Sequence, residues 1–367
     1  MFANVRRAVS SRAVVYRATI ESTLQGLYDA APRRPLGARE KIVIMSDLHM
    51  GDGGSRDDFR HNAQLVDTVL RRHYLASGYS LILNGDIEEL QRFRLPAIHA
   101  QWKHIFSLFD EFRSRTGLHK IIGNHDDALH ALAGRPGTPA LLDALCLTFK
   151  GETLFLFHGH QSTIFFERFN DVSGFFLRYG ANLLRIHNVP VTYESRKKYR
   201  TELRVYSFSS SRKIVSLIGH THRPLFESLS KIDTLRFRIE QLCRDYNGSS
   251  PRARTAIETT INAYRRELSR LWERDREDGL RSSLYNEEIC IPCLFNSGCA
   301  IGKRGVTAIE IENGKIALVY WFDRARADYN VTDEGEPAEP LGRTGFYRTV
   351  LKQDKLENIF ARIKLLA

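Results

Sequence analysis

The stretch Ile42-Val43-Ile44-Met45-Ser46-Asp47-Leu48-His49 decides the fold of this chain. Four apolar residues, mostly β-branched, predict a buried strand, and an aspartate and a histidine follow that strand directly. The same order recurs along the chain, with an apolar run placed before Asp, His or Asn. The later runs and the polar groups behind them are 81–83 before Asn84-Gly85-Asp86, 119–122 before Gly123-Asn124-His125-Asp126, 154–157 before His158-Gly159-His160, and 214–218 before Gly219-His220-Thr221-His222.

Helical patterns near 58–76 and 97–115 lie between the first of these strands, and three further strand-like runs follow residue 292. Strands that alternate with helices predict an α/β fold with crossover connections and a largely buried sheet. In such a fold, ligands bind in the loops at the carboxyl ends of the strands. Because Asp, His and Asn supply the nitrogen and oxygen ligands of hydrolytic divalent sites, the repeated groups predict a metal centre.

The composition excludes several classes of protein. The 367 residues are 43% hydrophobic and 26% charged, which suits a folded chain and excludes wholesale disorder. No uninterrupted apolar stretch reaches the length of about 18 residues that a membrane-spanning helix needs. Five cysteines are too few for a disulfide framework and indicate a reducing compartment. We therefore expect a cytoplasmic protein, with peripheral attachment to a membrane as the alternative.

Three of the cysteines, Cys290, Cys293 and Cys299, lie close together in the sequence. They fall short of a four-ligand structural zinc site, and no crossover unit follows the first pair as in redox folds. We expect them to be buried strand cysteines.

The chain divides into a main domain and attached segments. Residues 1–40 form an N-terminal amphipathic helix, since apolar residues recur every three or four positions from Val5 to Leu27. Their Arg-rich, acid-poor composition also suits an organelle transit peptide. Residues 41–330 form the main domain, which two insertions interrupt, and residues 331–367 are expected to be a C-terminal tail.

The first insertion, residues 161–213, is basic and aromatic: ten Lys and Arg stand against four Asp and Glu, among ten Phe and Tyr. This mixture suits a lid over an anionic, partly apolar substrate, an interfacial helix on anionic lipid, or a surface that stacks nucleic-acid bases. The structural alternative is a set of core aromatics beside a solvated charged face. The candidate substrate-binding residues are Arg196, Lys197, Lys198 and Arg200.

The second insertion, residues 227–288, carries equal numbers of both charge signs. Apolar residues step by three and four from Ile232 to Tyr246 and again from Ile257 to Leu271, beyond a breaker that begins at Asn247. This pattern predicts two helices packed antiparallel in a hairpin. We expect the hairpin to be structural or to form the contact of a homodimer.

Taken in order, the repeated groups closely resemble the calcineurin-like metallophosphoesterases over about 41–223, and Asn296-Ser297-Gly298 resembles a late strand of that family. The resemblance implies a two-sheet α/β sandwich with flanking helices, here with an inserted lid and hairpin. It also implies a dinuclear-metal-dependent hydrolase that cleaves a phosphoester or phosphoanhydride through a metal-bridging hydroxide. The expected cofactors are two divalent ions, with Mn²⁺ favoured over Fe, Zn or Mg.

The resemblance also assigns roles to residues. It places Asp86 between the two ions, His125 at the phosphoryl group and the leaving oxygen, and Asp126 as the residue that orients His125. The ligands that it implies for the first ion are Asp47, His49, Asp86 and His222, and those for the second are Asp86, Asn124, His158 and His220. Glu88 and Glu89 are expected to be hydrogen-bond partners of a ligand histidine.

Departures from the family motifs narrow the resemblance. Phosphoprotein phosphatases carry Asp-Arg-Gly after the second motif and Glu after Asn-His, whereas this chain has Ile87-Glu88-Glu89 and Asp126 there. The placement of the basic insertion is more similar to the UDP-diacylglucosamine pyrophosphohydrolases, although those carry Arg where His125 stands. We expect a phosphorylated small molecule or lipid as substrate. A nuclease or cyclic-nucleotide phosphodiesterase, and a scaffold without catalysis, are the alternatives.

Overall fold

The chain alternates strands and helices in the computed structural model, which describes residues 20–132, 140–163, 195–228, 251–277, 291–302, 305–326 and 337–367, with a few positions between 235 and 246. Within these residues the strands are β1 (Arg33–Pro35), β2 (Lys41–Met45), β3 (Ser80–Asn84), β4 (Leu118–Ile121), β5 (Leu141–Leu142), β6 (Ala144–Phe149), β7 (Glu152–Phe157), β8 (Val215–Ile218), β9 (Leu294–Asn296), β10 (Val306–Glu312), β11 (Lys315–Asp323), β12 (Glu339–Pro340) and β13 (Phe346–Lys355).

The helices lie between and after these strands. They are α1 (20–30), α2 (Ala63–Val69) with a π-helical turn at Leu70–Leu75, α3 (Leu95–Gln101), α4 (Lys103–Arg115), α5 (Ser195–Arg212), α6 (Pro251–Glu277) and α7 (Leu356–Leu366). Among the described helices, none combines the length and the hydropathy that crossing a bilayer would require.

The strands form two sheets, so the fold is a mixed α/β architecture as expected. The larger sheet has the order β12-β13-β11-β10-β2-β3-β4-β5, and the smaller one has the order β1-β6-β7-β8-β9. Strands β2 to β5 are parallel neighbours, and β7, β8 and β9 are parallel in the other sheet. Two sets of parallel carboxyl ends are therefore available to hold ligand-bearing loops.

The alternation of side chains along β2 shows how the layers are built. Ile42 and Ile44 are buried in one apolar cluster, which also contains β7 residues such as Phe155 and therefore lies between the sheets. Val43 and Met45 point to the opposite face, into the cluster that α2 and α4 cover. A strand buried on both faces reads as a continuous apolar run, which is why β2 was recognisable in the sequence.

Several segments differ from the sequence expectation or extend it. The predicted tail contains β13 and α7, and β13 pairs with β11 along its length. Strand β6, which was not predicted from the sequence, pairs with both β1 and β7. Of the predicted hairpin, the second helix is present as α6, while most of the first helix lies outside the described residues. Residues 1–19 of the predicted N-terminal helix also lie outside them.

Candidate metal centre

The carboxyl ends of the parallel strands in the two sheets meet at one edge of the sandwich. We call this edge, with the loops that follow β2, β3, β4, β7 and β8, the ligand edge. Asn84, at the end of β3, donates from Nδ2 to the backbone oxygens of Phe157 (3.2 Å) and Leu217 (3.3 Å). The hydroxyls of Ser46 and Ser297 lie 2.7 Å apart. These bonds join the loops after β2 and β3 in one sheet to those after β7, β8 and β9 in the other. Four of the five polar groups of the sequence therefore come to one place, and the group after β4 joins them through the His125 backbone N–H, which donates to Asp86 Oδ1 (2.8 Å).

Three groups of side chains among the described residues could hold a metal ion, and Asp47, His49 and His222 form the first of them. Asp47 Oδ1 lies 3.1 Å from His222 Nε2 and 3.8 Å from His49 Nε2, and the two Nε2 atoms are 3.2 Å apart. Three ligand atoms of the types that bind divalent ions thus converge within a space of one ion.

Asp86, His158 and His220 form the second cluster, and all three are buried. Asp86 Oδ2 lies 3.0 Å from His158 Nε2 and 3.8 Å from His49 Nε2, so this carboxylate stands between the clusters. His158 Nδ1 lies 2.8 Å from the backbone oxygen of Asn84. That contact requires Nδ1 to carry the proton and leaves Nε2 as the ligand atom, as for most metal-binding histidines.

Buried polar atoms without a hydrogen-bond partner among the described residues test whether a metal fits here. They include Asp47 Oδ1, Asn124 Oδ1 and His158 Nε2, one from each of three predicted ligands. Asp47 Oδ1 and His158 Nε2 lie within ion-pair distance of a neighbouring side chain, but these contacts lack hydrogen-bond geometry. Buried polar groups nearly always have a hydrogen-bond partner. Several buried atoms without one in the same place therefore indicate that an ion or a water binds there. The residues present therefore fit a divalent metal.

The backbone at this edge is strained at the predicted ligands themselves. Five predicted ligands have φ values between 49° and 63°, in the left-handed region that residues with a side chain rarely adopt. They are Asp47, His49, Asp86, His220 and His222. Each such residue costs roughly 1–3 kcal/mol and persists only where its surroundings enforce the conformation, and such strain concentrates at functional sites.

Two glycines permit the close approach of these loops. A Cβ at Gly123 would lie 2.2 Å from Asp86 Oδ1, and one at Gly219 would lie 2.5 Å from Asp47 Oδ2. No side chain fits at either position, because both carboxylates are packed directly against the glycine backbone. The glycines that punctuate the sequence motifs are thus required by the packing of the carboxylates.

Glu89 connects the first cluster to His125, and His49, Glu89 and His125 are the third group of side chains that could hold a metal ion. Its Oε2 lies 2.9 Å from His49 Nδ1, and its Oε1 lies 2.8 Å from His125 Nδ1. The expected role of Glu89 as partner of a ligand histidine is therefore seen in the geometry. One carboxylate orients both imidazoles, and its pKa is lowered to about 2, since the two imidazoles outweigh the opposing effect of burial.

The predicted role of Asp126 requires a correction. Its Oδ2 accepts from the Ile87 backbone N–H (2.8 Å) and its Oδ1 from the Gly123 N–H (2.6 Å). These bonds tie together the loops after β3 and β4, while the imidazole of His125 is held by Glu89. The sequence neighbour of a histidine is a natural candidate for its partner, but here that neighbour points back to the backbone.

Glu88, the other glutamate of the motif, faces away from the histidines. It forms a buried ion pair with Lys120 of β4, with Nζ 2.6 Å from Oε2. A buried ion pair that is fully engaged fixes the relative position of two elements. Glu88 therefore anchors the loop that presents Asp86 and Glu89.

Without a metal ion, burial and contacts between the acidic and histidine side chains determine the pKa values of the histidines. Burial lowers the pKa of His158, but Asp86 and Asp47 outweigh it and raise the value to about 9. Burial and the neighbouring His158 lower the pKa of His220 to about 3. Burial also lowers the pKa of His160, which lies beside both.

The candidate substrate-binding residues belong to helix α5. Arg200 is exposed, whereas the side chains of Arg196, Lys197 and Lys198 lie outside the described residues, as do residues 164–194. Farther along α5, Val205 and Phe208 are buried in the core. The lid remains a prediction for this segment.

Comparison with known proteins adds little to this description. No family model matches the chain, and no curated protein matches it in sequence. Among solved structures, it is similar to a single mutant of Vps29 from Entamoeba histolytica, with 9% sequence identity and a TM-score of 0.33. That match covers 78% of this chain and 94% of the Vps29 chain. The clusters that could hold a metal ion therefore stand on their own geometry.

Proposed function

We propose that this chain is a dinuclear-metal phosphoesterase that hydrolyses a phosphoester or phosphoanhydride. One observation carries the proposal: two clusters of Asp and His ligand atoms share the neighbourhood of Asp86 and leave buried atoms unpaired among the described residues. A structural ion pair network would satisfy those atoms. Two adjoining clusters with a carboxylate between them are what a two-metal hydrolytic site requires.

We assign the proposed ligands to two ions. Asp47, His49 and His222 would hold the first, and Asn124, His158 and His220 would hold the second, with Asp86 between them. The all-N/O ligand set suits Mn²⁺, and Fe, Zn and Mg are compatible with parts of it. When bound, such a pair of ions polarises a phosphoryl oxygen and makes a nucleophilic water available near neutral pH.

His125 is placed to act on the substrate. Its side chain is 19% exposed, and with Nδ1 engaged by Glu89, Nε2 is the atom that can meet a phosphoryl or leaving oxygen. Its backbone N–H donates to Asp86 Oδ1 (2.8 Å), which fixes the residue against the shared carboxylate. We infer that His125 donates a hydrogen bond to the phosphoryl group and a proton to the leaving oxygen.

The substrate class follows from charge. We propose a phosphorylated small molecule or an anionic lipid, because helix α5 and the segment before it are rich in Lys and Arg. Basic groups remote from the reacting phosphorus would hold a second phosphate or a headgroup. A homodimer contact through 227–288 is proposed on its balanced charge and apolar stripes alone.

The proposal is tested with the full chain freed of metal by a chelator and then reloaded with Mn²⁺. Turnover of nitrophenyl phosphate, bis-nitrophenyl phosphate and a nitrophenyl nucleotide should appear with Mn²⁺ and vanish with chelator. The preferred substrate distinguishes monoesterase from diesterase and nuclease activity. A chain that binds two ions and turns over none of these esters, nor a nucleotide-lipid pyrophosphate, would instead be a scaffold.

A further inference from the structure

Helix α5 inserts a buried carboxylate beneath the loop that carries two of the proposed ligands. Glu202 is fully buried, and its Oε1 accepts a hydrogen bond from the hydroxyl of Thr221 at 2.7 Å. Its Oε2 lies 3.4 Å from a guanidinium nitrogen of Arg223. Thr221 lies between His220 and His222 in sequence, so Glu202 holds the loop of residues 219–223 at the residue between the two histidines. We call this loop the ligand loop.

Thr221 is held from a second side. Its hydroxyl oxygen accepts from Asn296 Nδ2 at 2.9 Å, and the same amide donates to the backbone oxygen of Gly219, also at 2.9 Å. Because Asn296 donates to this oxygen, the hydroxyl proton of Thr221 points to Glu202. A directed chain therefore runs from Asn296 at the end of β9, through Thr221, to Glu202 on α5.

The loop needs such a restraint. His220 and His222 both have left-handed backbone conformations, with φ values of 63° and 57°. A strained backbone persists where surrounding contacts enforce it. The His220 N–H also donates to Asp47 Oδ2 at 3.0 Å, so a shift of this loop would move ligands of both ions.

We propose that Glu202 is a positioning residue for the metal centre, acting through Thr221 to hold His220 and His222 in ligand geometry. This inference rests on the proposed two-metal function. It extends the function of α5 beyond packing, since the segment that the sequence marked as basic and aromatic also supplies a buried acidic group behind the ligands.

Packing alone does not account for Glu202. The same helix also bonds to strand β8, through a hydroxyl of Ser209 that contacts the hydroxyl of Ser216 at 2.7 Å. Burying a carboxylate is far more costly than burying a neutral side chain, and its cost must be offset by specific partners. Thr221 and Arg223, which both contact Glu202, belong to the ligand loop.

The test measures Mn²⁺ affinity by equilibrium dialysis of the full chain, with thermal unfolding of the metal-free protein as a second measurement. Thr221→Val keeps the shape and removes the hydroxyl, whereas Thr221→Ser keeps the hydroxyl. Ser209→Ala is the matched control, because it removes a buried α5 hydrogen bond that does not reach the ligand loop. Glu202→Gln provides an independent variant that keeps an acceptor and removes the charge.

We expect Thr221→Val to weaken Mn²⁺ binding by about 10–100-fold, the usual effect of losing a group that orients metal ligands. Glu202→Gln should weaken it several-fold, while Thr221→Ser and Ser209→Ala should bind as the wild type does. Wild-type affinity in both Thr221→Val and Glu202→Gln would overturn the inference. A wild-type chain that binds fewer than two ions would instead overturn the proposed function itself.

Discussion

Two regions of the molecule bury charged and polar groups at similar depth, and they treat those groups differently. On the larger sheet, Glu310 of β10 accepts from the Tyr74 hydroxyl (2.8 Å) and binds the guanidinium of Arg348, while Trp321 donates to the Tyr74 oxygen (2.8 Å). At the opposite extreme, the ligand edge leaves Asp47 Oδ1 and other buried atoms unpaired within the described structure.

The backbone makes the same distinction. None of the four residues of the Glu310 network has a left-handed conformation, whereas five predicted ligands do. A network with paired groups and relaxed backbone contributes to stability and specificity of the fold. Unpaired groups on a strained backbone reduce stability, so their presence indicates a function that needs them. The comparison predicts that substitutions in the two regions separate metal binding from folding.

The largest effect is expected at the carboxylate between the clusters. Asp86→Ala should abolish phosphoesterase activity and lower the metal content of both sites, because one substitution removes a ligand atom that faces each cluster. Metal content by atomic emission and turnover of nitrophenyl phosphate measure the two effects. Retention of two ions and near-normal turnover would show that Asp86 is not shared.

His125→Ala should lower kcat by roughly 10²–10⁴ while metal content stays unchanged, as expected for a positioned acid or charge stabiliser. A substrate with a very acidic leaving group should lose less activity, since it needs no proton. An equal loss on good and poor leaving groups would restrict His125 to charge stabilisation. Loss of metal in this variant would place it among the ligands.

In the paired network, Glu310→Gln should lower the free energy of unfolding by about 1–3 kcal/mol, because the carboxamide keeps an acceptor but no longer offsets the charge of the partly buried Arg348 guanidinium. Urea unfolding of the metal-free protein measures this loss. The variant should still bind two ions and turn over substrate normally once folded. If it lost metal instead, the two regions would be coupled and the contrast between them would fail.

Protons would compete with a metal ion at His49 and His158, two of the proposed ligands. Burial lowers the pKa of His49, but Asp47 and Glu89 outweigh it and raise the value to about 10, and that of His158 is raised to about 9. Both imidazoles are therefore protonated at pH 7 in the free protein, and an ion must displace those protons. Mn²⁺ affinity should increase about tenfold or more per pH unit above neutrality.

The same shifts predict the stability of the metal-free chain. A histidine with a raised folded-state pKa stabilises the fold below its unfolded value near 6.5, and this contribution is lost as pH rises through about 9–10. The Tm without metal should therefore fall over that window, while the metal-loaded protein should be less sensitive. Equal pH profiles for the two forms would contradict the assignment.

The smallest effect is expected at the basic residues of α5. Neutralising Arg196, Lys197, Lys198 and Arg200 should raise KM a few-fold for an anionic lipid-linked pyrophosphate and leave turnover of nitrophenyl phosphate unchanged. Added salt should imitate the change, since exposed charges are screened over about 8–10 Å. Unchanged KM, salt response and binding to anionic vesicles would leave these residues as a solvated face.

The sequence predicted those parts of the fold in which local signals agree. Strands such as β2 are apolar on both faces and end in a glycine- or ligand-bearing loop, so pattern and chemistry coincide. Strand β13 was not predicted because its C-terminal half is rich in charged residues. Its pairing with β11 depends on the tertiary structure, so no local sequence pattern indicates it. Strand β6 carries no ligand behind it, and therefore lacked the second signal.

Within the site, the residue types were predictable, but the sequence could not show which of the two glutamates contacts the histidines. The roles of Glu88 and Glu89 differ because one side chain faces Lys120 and the other faces His49 and His125. That difference depends on the course of the loop after β3. Glu202 had no sequence signal, since its partner Thr221 lies in another motif and meets it through the packing of α5.

The measurement that tests the central claim most directly is titration of the metal-free chain with Mn²⁺, followed by electron paramagnetic resonance. We predict two ions per chain and a spectrum of exchange-coupled Mn²⁺, because two ions that shared the Asp86 carboxylate would lie about 3.5–4 Å apart. A chain that binds no ion, or two ions with the spectra of isolated Mn²⁺, would contradict it.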